Sequence, residues 1–320
     1  MNAFSFSVLS AALALTAICS GGGGTGTPTP DMARADMAMT PDMVTTAYPL
    51  PPIPSRTVLG GAGTYAVAAG DFDRDKRMDL AIVNAIAGTV SLLLGTSSGD
   101  FTSGPSLPVG NSPLAVATGD LNGDGIADLA VANLDSNTVS VLWGTSTAML
   151  FSAATNLPVG DGPYSVIIAD LNTDGQPDLV VANSRSNNVS VVLGKGAAGF
   201  EPAKTYSVGK SPQSVVAGDF DDNGKLDVAT ADNGSDEVTV LMGDGKGGFG
   251  AARSIPVGKR PYTVVGGDFN GDRRRDLAVA NSYGDSISVL LNVGNANFSQ
   301  SLVPVSGDPV GVATADVNGN

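Results

Sequence analysis

An acidic cluster returns along this chain at a nearly constant interval, starting at Asp71, Asp120, Asp170, Asp219, Asp268 and Asp316, with spacings of 49, 50, 49, 49 and 48 residues. A period that regular belongs to a repeat architecture, in which each unit buries its apolar faces against its neighbours. The segments between clusters also repeat: Asp128-Leu-Ala-Val-Ala-Asn133, then Thr138-Val-Ser-Val-Leu142, then an apolar run ending Leu157-Pro-Val-Gly160. Short β-branched runs bounded by Gly, Asn, Asp or Pro predict strands joined by tight turns. Beyond residue 54 no stretch keeps helical spacing over three turns. One register predicts strands at 164–169, 178–183, 188–194 and 205–209. Four antiparallel strands in about 49 residues is the size of one β-propeller blade. The fold class expected is therefore all-β, a propeller of four-stranded blades with at least five blades present.

The phase of the repeat adds a further expectation. Residues 56–60 match the fourth strand of a register, before the first-strand equivalent that starts at Tyr65. The chain stops at Asn320 inside the sixth cluster, so 55–320 holds about 5.4 registers. A ring of at least six blades is expected, with the present chain truncated at its carboxyl end.

Composition narrows what such a fold can do. The chain has 17 Lys plus Arg against 31 Asp plus Glu, a formal charge of −14 and a pI near 4.2. Nucleic acid and anionic membrane surfaces need clustered cations and are disfavoured as partners. There is no histidine, which excludes a Ser-His-Asp triad and His-ligated zinc. The one cysteine permits no intrachain disulfide. Of the 31 acidic residues 29 are Asp, and only Glu201 and Glu237 are Glu. An ordinary solvated surface uses both, so the aspartates need a specific explanation.

The amino terminus reads as export machinery. Residues 3–18 are apolar with interspersed serines and end at Cys19, followed by Ser20 and four glycines. The segment Leu15-Thr-Ala-Ile-Cys19 resembles a bacterial lipoprotein processing box, which implies acylation of Cys19; simple secretion is the alternative, since Ile18 stands where that box has a small residue. Residues 1–19 are thus a signal peptide, 20–54 a low-complexity stalk of Gly, Thr-Pro and Asp-Met elements, and 55–320 the repeats. The location expected is outside the cytoplasm, at the cell surface as an outer-membrane lipoprotein or secreted.

Aligned, the clusters place oxygen donors at positions 1, 3, 5 and 9. The first has Asp71, Asp73, Asp75 and Asp79; the second Asp120, Asn122, Asp124 and Asp128; the third Asp170, Asn172, Asp174 and Asp178. The fourth has Asp219, Asp221, Asn223 and Asp227, and the fifth Asp268, Asn270, Asp272 and Asp276. Donors at every second residue can wrap one hard cation of calcium's size, with a backbone carbonyl at position 7. Glycine at position 6 in the second, third and fourth clusters permits a left-handed turn. Polar turns alone would not require Asp at positions 1 and 9 in all five. An EF-hand is disfavoured, because position 12 is Ile82, Val131, Val181, Thr230 or Val279 where a bidentate Glu belongs. Seventeen of the 29 aspartates occupy ligand positions when Asp316 is included.

The run Gly119-Asp-Leu-Asn-Gly-Asp-Gly-Ile-Ala-Asp-Leu-Ala-Val-Ala-Asn133, followed by Val-Ser-Val-Leu and a glycine turn before Phe151, resembles the FG-GAP or VCBS-type repeat of integrin α-subunit propellers and many bacterial surface proteins. The resemblance covers 55–320. It implies a Ca²⁺ loop between the first two strands of each blade on the lower face, with partners on the upper face. Lys76 and Arg273 depart from the pattern at the glycine position, and Arg77, Arg274 and Arg275 crowd the same loops. The second, third and fourth loops are therefore expected to bind most tightly.

Tyr65, Tyr164 and Tyr262 stand at equivalent places, six residues before their clusters. They form a candidate ligand face around the rim opposite the metal loops, with wedging between blades as the alternative. Asn84, Asn133, Asn183 and Asn281 recur thirteen residues after each cluster start and read as turn residues. The function expected is a non-enzymatic, calcium-binding surface propeller that mediates adhesion through a protein or glycan. The alternatives are a propeller enzyme acting on polysaccharide or phosphate ester, and a structural accessory domain of a larger surface protein.

Overall fold

The computed structural model describes residues 63–147 and 150–315. The leader 1–19 with Cys19, the stalk 20–54, residues 56–60 and Asp316 lie outside the described residues. What is described contains twenty strands, one 3₁₀ turn at Gly196–Ala198 and no α-helix.

The strands form five four-stranded antiparallel sheets, each in simple sequence order. The first blade is β1 (Thr64–Gly70), β2 (Asp79–Asn84), β3 (Thr89–Gly95) and β4 (Phe101–Pro108). The second is β5 (Pro113–Gly119), β6 (Asp128–Asn133), β7 (Thr138–Leu142) and β8 (Thr155–Pro158). The third is β9 (Pro163–Ala169), β10 (Asp178–Asn183), β11 (Asn188–Val192) and β12 (Lys204–Ser207). The fourth runs β13 (Pro212–Gly218), β14 (Asp227–Asp232), β15 (Glu237–Gly243) and β16 (Phe249–Pro256), and the fifth β17 (Pro261–Gly267), β18 (Asp276–Asn281), β19 (Ser286–Gly294) and β20 (Asn297–Pro304). The expected second strand at 178–183 matches β10 to the residue; the other three of that register are matched to within two residues at either end.

Second strands carry the packing. In Asp128-Leu-Ala-Val-Ala-Asn133 every residue is buried, because both faces of the blade are covered. Alternation by two sends the larger Leu129 and Val131 toward the first blade, where they join Val83, Leu92 and Phe72. The smaller Ala130 and Ala132 face the third blade and meet Val166, Leu179 and Val181. Two further clusters of the same make join the third blade to the fourth and the fourth to the fifth. Apolar burial between sheets, at about 25 cal/mol per Å², is thus the main force holding blade to blade.

The residue at loop position 2 acts as a plug into the following blade. Phe72, Leu121, Leu171 and Phe220 are at most 2% exposed, whereas Phe269 of the fifth blade is 39% exposed. Phe72 meets Phe151 of the second blade edge-on, with ring centroids 5.6 Å apart, and Phe220 meets Phe298 of the fifth at 6.3 Å. Trp143 stacks on Phe200 of the third blade at 5.9 Å. First strands of successive blades, β1, β5, β9, β13 and β17, lie next to one another. Every acidic loop therefore emerges at one end of the blades, and every turn between second and third strands emerges at the other.

Candidate metal centres

Each acidic loop joins the first strand of its blade to the second, and its backbone is arranged by its own side chains. The position 1 carboxylate (Asp71, Asp120, Asp170, Asp219 or Asp268) accepts the N–H of position 6 at 2.7–3.0 Å. Position 3, which is Asp73, Asn122, Asn172, Asp221 or Asn270, accepts the N–H of position 5 at 2.8–3.2 Å. Position 5, which is Asp75, Asp124, Asp174, Asn223 or Asp272, accepts the N–H of position 7 at 2.8–2.9 Å. These are Asx-type turns in series, which is why an Asp or Asn stands at every second place from position 1 to position 5. They turn the side chains of positions 1, 3 and 5 inward.

Position 9 has a second task that the spacing does not reveal. Asp79, Asp128, Asp178, Asp227 and Asp276 are completely buried. One oxygen of each accepts the N–H of position 2 at 2.8–2.9 Å. The other accepts an N–H sixteen residues on, from Gly95, Gly144, Gly194, Gly243 or Asn292, at 2.6–2.8 Å. This carboxylate fastens the loop to the third strand, and in the second to fifth loops each oxygen keeps a lone pair free for a cation; in the first, Oδ2 of Asp79 also accepts the Asp73 N–H at 3.2 Å. Asp at position 9 is accounted for in part by that fastening.

Position 6 adopts the left-handed region in every loop, as expected of glycine: φ is 80°, 81° and 79° at Gly125, Gly175 and Gly224. Lys76 and Arg273 take the same conformation at 69° and 70°. Position 4 is left-handed as well, at Arg74, Gly123, Thr173, Asp222 and Gly271. Only two of those five are glycine, so residue type gave no signal for it.

The donor set suits a hard cation. Asp71, Asp73 and Asp79 bring carboxylate oxygens within 4.8 Å of one another, and so do Asp219, Asp221 and Asp227. Oδ1 of Asp71 is buried without a hydrogen-bond partner. A buried carboxylate oxygen with no donor, surrounded by like charge, is costly without a counterion. Burial pushes Asp128, Asp178 and Asp227 above the usual carboxylate range, against the lowering effect of their two N–H bonds. Burial also raises Asp73, helped by the charges of Asp79, Asp75 and Asp71. In the second, third and fifth loops the Asn at position 3 donates its amide to the position 5 carboxylate at 2.9–3.1 Å.

Two loops supply their own cation. Arg77 forms an ion pair with Asp75, and Arg274 pairs with Asp272. The N–H of Arg274 and its guanidinium hold Asp272 below the usual carboxylate range. In both loops a guanidinium occupies an oxygen that a metal would need.

Tyr65, Tyr164 and Tyr262 do not stand apart around a rim. Their hydroxyls meet one another in a three-way hydrogen-bonded group, with Tyr65 and Tyr262 2.7 Å apart. The ring of Tyr164 meets each of the others edge-on at 6.0 Å. First strands lie innermost, so residues near their starts converge from alternate blades. Burial pushes Tyr65 and Tyr164 far above the usual phenol range, which keeps them as neutral donors. Equivalent sequence positions were legible; that they touch was not.

The recurring Asn84, Asn133, Asn183 and Asn281 are not surface turn residues. They end the second strands, fully buried, and donate to Ser91, Ser140, Ser190 and Ser288 of the third strands at 2.8–2.9 Å. The fourth blade has Asp232 there, bonded to Thr230 and Thr239 at 2.8 and 2.6 Å.

Five copies of the FG-GAP-like repeat model match the chain, at 71–131, 120–181, 170–230, 219–279 and 268–320. The chain belongs to the FG-GAP-like repeat family. No curated protein matches it. Among solved structures it is similar to BBS1N in complex with ARL6DN, soaked with lead, at 15% identity and TM-score 0.55, over 77% of this chain and 70% of that one. A functionally unknown protein from Desulfotomaculum acetoxidans DSM 771 is similar at 12% identity and TM-score 0.55, with 77% and 70% covered. A putative 6-phosphogluconolactonase from Bacteroides fragilis NCTC 9343 aligns at 14% identity and TM-score 0.55, with 74% and 70% covered. At these identities the likeness is one of fold.

Proposed function

We propose that this protein is a non-enzymatic, exported, calcium-stabilised propeller that acts at the cell surface, held through an acylated Cys19 or secreted, and binds a protein or glycan through the face opposite the acidic loops. The observation that carries the metal reading is the buried, unpartnered Oδ1 of Asp71 among converging carboxylates. Residues at positions 1, 3, 5 and 9 hold the ion, which when bound neutralises carboxylates that otherwise repel one another. Positions 1 and 5 keep the loop wound through their N–H bonds, and position 9 ties it to the third strand.

The second, third and fourth loops bind most tightly, since Arg77 and Arg274 compete for position 5 in the first and fifth. Five bound dications would bring the formal charge of −14 to about −4. The non-enzymatic reading is supported by the absence of histidine and by the assignment of most regularly placed carboxylates to the loops.

Thermal melting of the full chain with 10 mM Ca²⁺ and with chelator tests this. Extracellular modules of this kind bind at about 10⁻⁴–10⁻³ M. Ten times a millimolar dissociation constant contributes about 1.4 kcal/mol per site. Three occupied loops then raise the melting temperature by roughly 10 °C in a domain of this size. Identical melts in calcium and chelator would overturn the metal assignment.

A further inference from the structure

Among the described residues, three of the four junctions between successive blades are capped by a side chain at the end opposite the acidic loops, and one is not. The turn joining second to third strand carries a left-handed residue whose side chain reaches across to the next blade. Asn137 accepts the N–H of Gly162 at 2.9 Å, Asn187 accepts that of Ser211 at 2.8 Å, and Asp236 accepts that of Arg260 at 2.8 Å. In the first blade the same place is held by Gly88. Its backbone is equivalent: φ is 64° against 55°, 55° and 57°. Its carbonyl accepts the N–H of Val109 at 3.0 Å, as Asn137, Asn187 and Asp236 accept those of Val159, Val208 and Val257.

Glycine has no side chain to give, so the receiving N–H goes uncapped. That group is Ser112, left-handed at φ 50° like Ser211 and Arg260. The rest of its turn is bonded: Asn111 N–H to Ser136 Oγ at 2.7 Å, Leu134 N–H to the Ser112 carbonyl at 3.0 Å, and Ser112 Oγ to Asp135. Among the described residues nothing accepts the Ser112 N–H. Where the cap is missing a cleft of about 450 Å³ opens, lined by Tyr65, Ile86, Asn111, Ser112, Leu114 and Leu134. Ile86 stands at its lip with 81% of its surface exposed.

We propose that this cleft is a binding site for a polypeptide partner that presents an Asn or Asp side chain beside an apolar residue. The partner's Oδ1 takes on Ser112 N–H the place that Asn137, Asn187 and Asp236 take on the other junctions. Its apolar neighbour covers Ile86, Leu114 and Leu134. The template is intramolecular: the same backbone, at three neighbouring junctions, already selects an Asx oxygen. The Ser112 N–H stands in a turn before β5 and not along a strand edge, so the partner is read through a side chain and not by strand addition, which needs a row of donors and acceptors. This rests on the binding reading above and narrows it to one junction and one chemistry.

The test uses the full chain and amide-resolved NMR. The probes are N-acetyl-Leu-Asn-amide, N-acetyl-Leu-Asp-amide and N-acetyl-Leu-Ala-amide at millimolar concentrations. The Ser112 amide resonance should move saturably with the Asn or Asp probe, and the Ala probe should bind at least tenfold more weakly. Gly88→Asn should supply the cap in cis: a Cβ at Gly88 meets nothing nearer than the Gly110 carbonyl at 3.4 Å, and Asn tolerates the left-handed region. Its Ser112 resonance should be shifted before any probe is added and should respond tenfold less. Ile86→Ser, at an exposed side chain, keeps the fold and should weaken both active probes. No movement at Ser112, an Ala probe as good as the others, or a Gly88→Asn protein that still responds would each overturn the site. If the calcium melt retains its shift in that case, the failure belongs to the cleft and not to the metal-stabilised propeller.

Discussion

Asp232 is the residue on which the packing of this repeat can be tested most sharply, because four other blades carry Asn at the same place. Its carboxyl is completely buried at the end of β14, and burial pushes it up to about 7 from an ordinary 3.8, with the charge of Glu237 adding to the rise. Thr239, Thr230 and the Gly209 N–H bond to it and lower it by less. A carboxyl raised in the folded state contributes stability that is fully present below its unfolded value, near pH 4. That stability is lost as pH rises toward 7. Three units at about 1.36 kcal/mol each make the charged form cost at most about 4 kcal/mol at pH 8. Between pH 5 and pH 8 the loss is about two units, about 2.7 kcal/mol.

Asp232→Asn removes the titration while keeping a donor and an acceptor between Thr230 and Thr239. The variant should therefore be more stable than the parent at pH 8, and its advantage should shrink by about 2–3 kcal/mol on going to pH 5. Urea unfolding of both proteins at pH 5, 6, 7 and 8 in constant calcium measures this, since titrations common to both cancel in the difference. Parallel stability–pH curves would show that Asp232 is not the buried acid the packing makes it. An Asn variant that is less stable at pH 8 would refute the comparison with the other blades.

Position 9 and position 1 of one loop should separate fastening from metal binding. Asp227→Asn disturbs two backbone hydrogen bonds at buried sites and should cost roughly 1–3 kcal/mol even in chelator, whereas Asp219→Asn should lose stability mainly when calcium is present; urea melts in both buffers decide it. Phe72→Ala leaves a cavity between the first and second blades and should cost about 3–5 kcal/mol in urea unfolding, and a loss under about 1 kcal/mol would refute the plug role of loop position 2. Arg273→Gly relieves a left-handed non-glycine of roughly 1 kcal/mol and removes a nearby cation, so calorimetric titration should show tighter Ca²⁺ binding at the fifth loop, and unchanged affinity would refute the role given to that position.

Much of the fold was legible before any coordinates. The strands of the third blade fell where alternation and turn residues placed them, since β10 is bounded by Asp178 and Asn183, both fixed by hydrogen bonding. The loops' donor positions were legible for the same reason: side chains two apart in a tight turn must cooperate locally. Contacts across blades were not. The burial of Asn133 against Gly110 depends on residues 23 apart in sequence, and that of Asp232 against Gly209 on the same spacing. The meeting of Tyr65 with Tyr262 spans 197 residues. Left-handed backbone at Arg74 and Thr173 carried no residue-type signal, because the strain is imposed by the Asx turns around it.

The sequence alone determined the period, the four-stranded unit and the oxygen-donor pattern. Each arises within about fifty residues from local turn chemistry and two-residue alternation. Only the tertiary structure decided that three equivalent tyrosines share one hydrogen-bonded group and that Phe72 packs against Phe151 of the next blade. It also decided that Gly88 leaves Ser112 uncapped beside a cleft. Those outcomes depend on which blade lies next to which, a relation set by face-to-face packing that no single repeat contains.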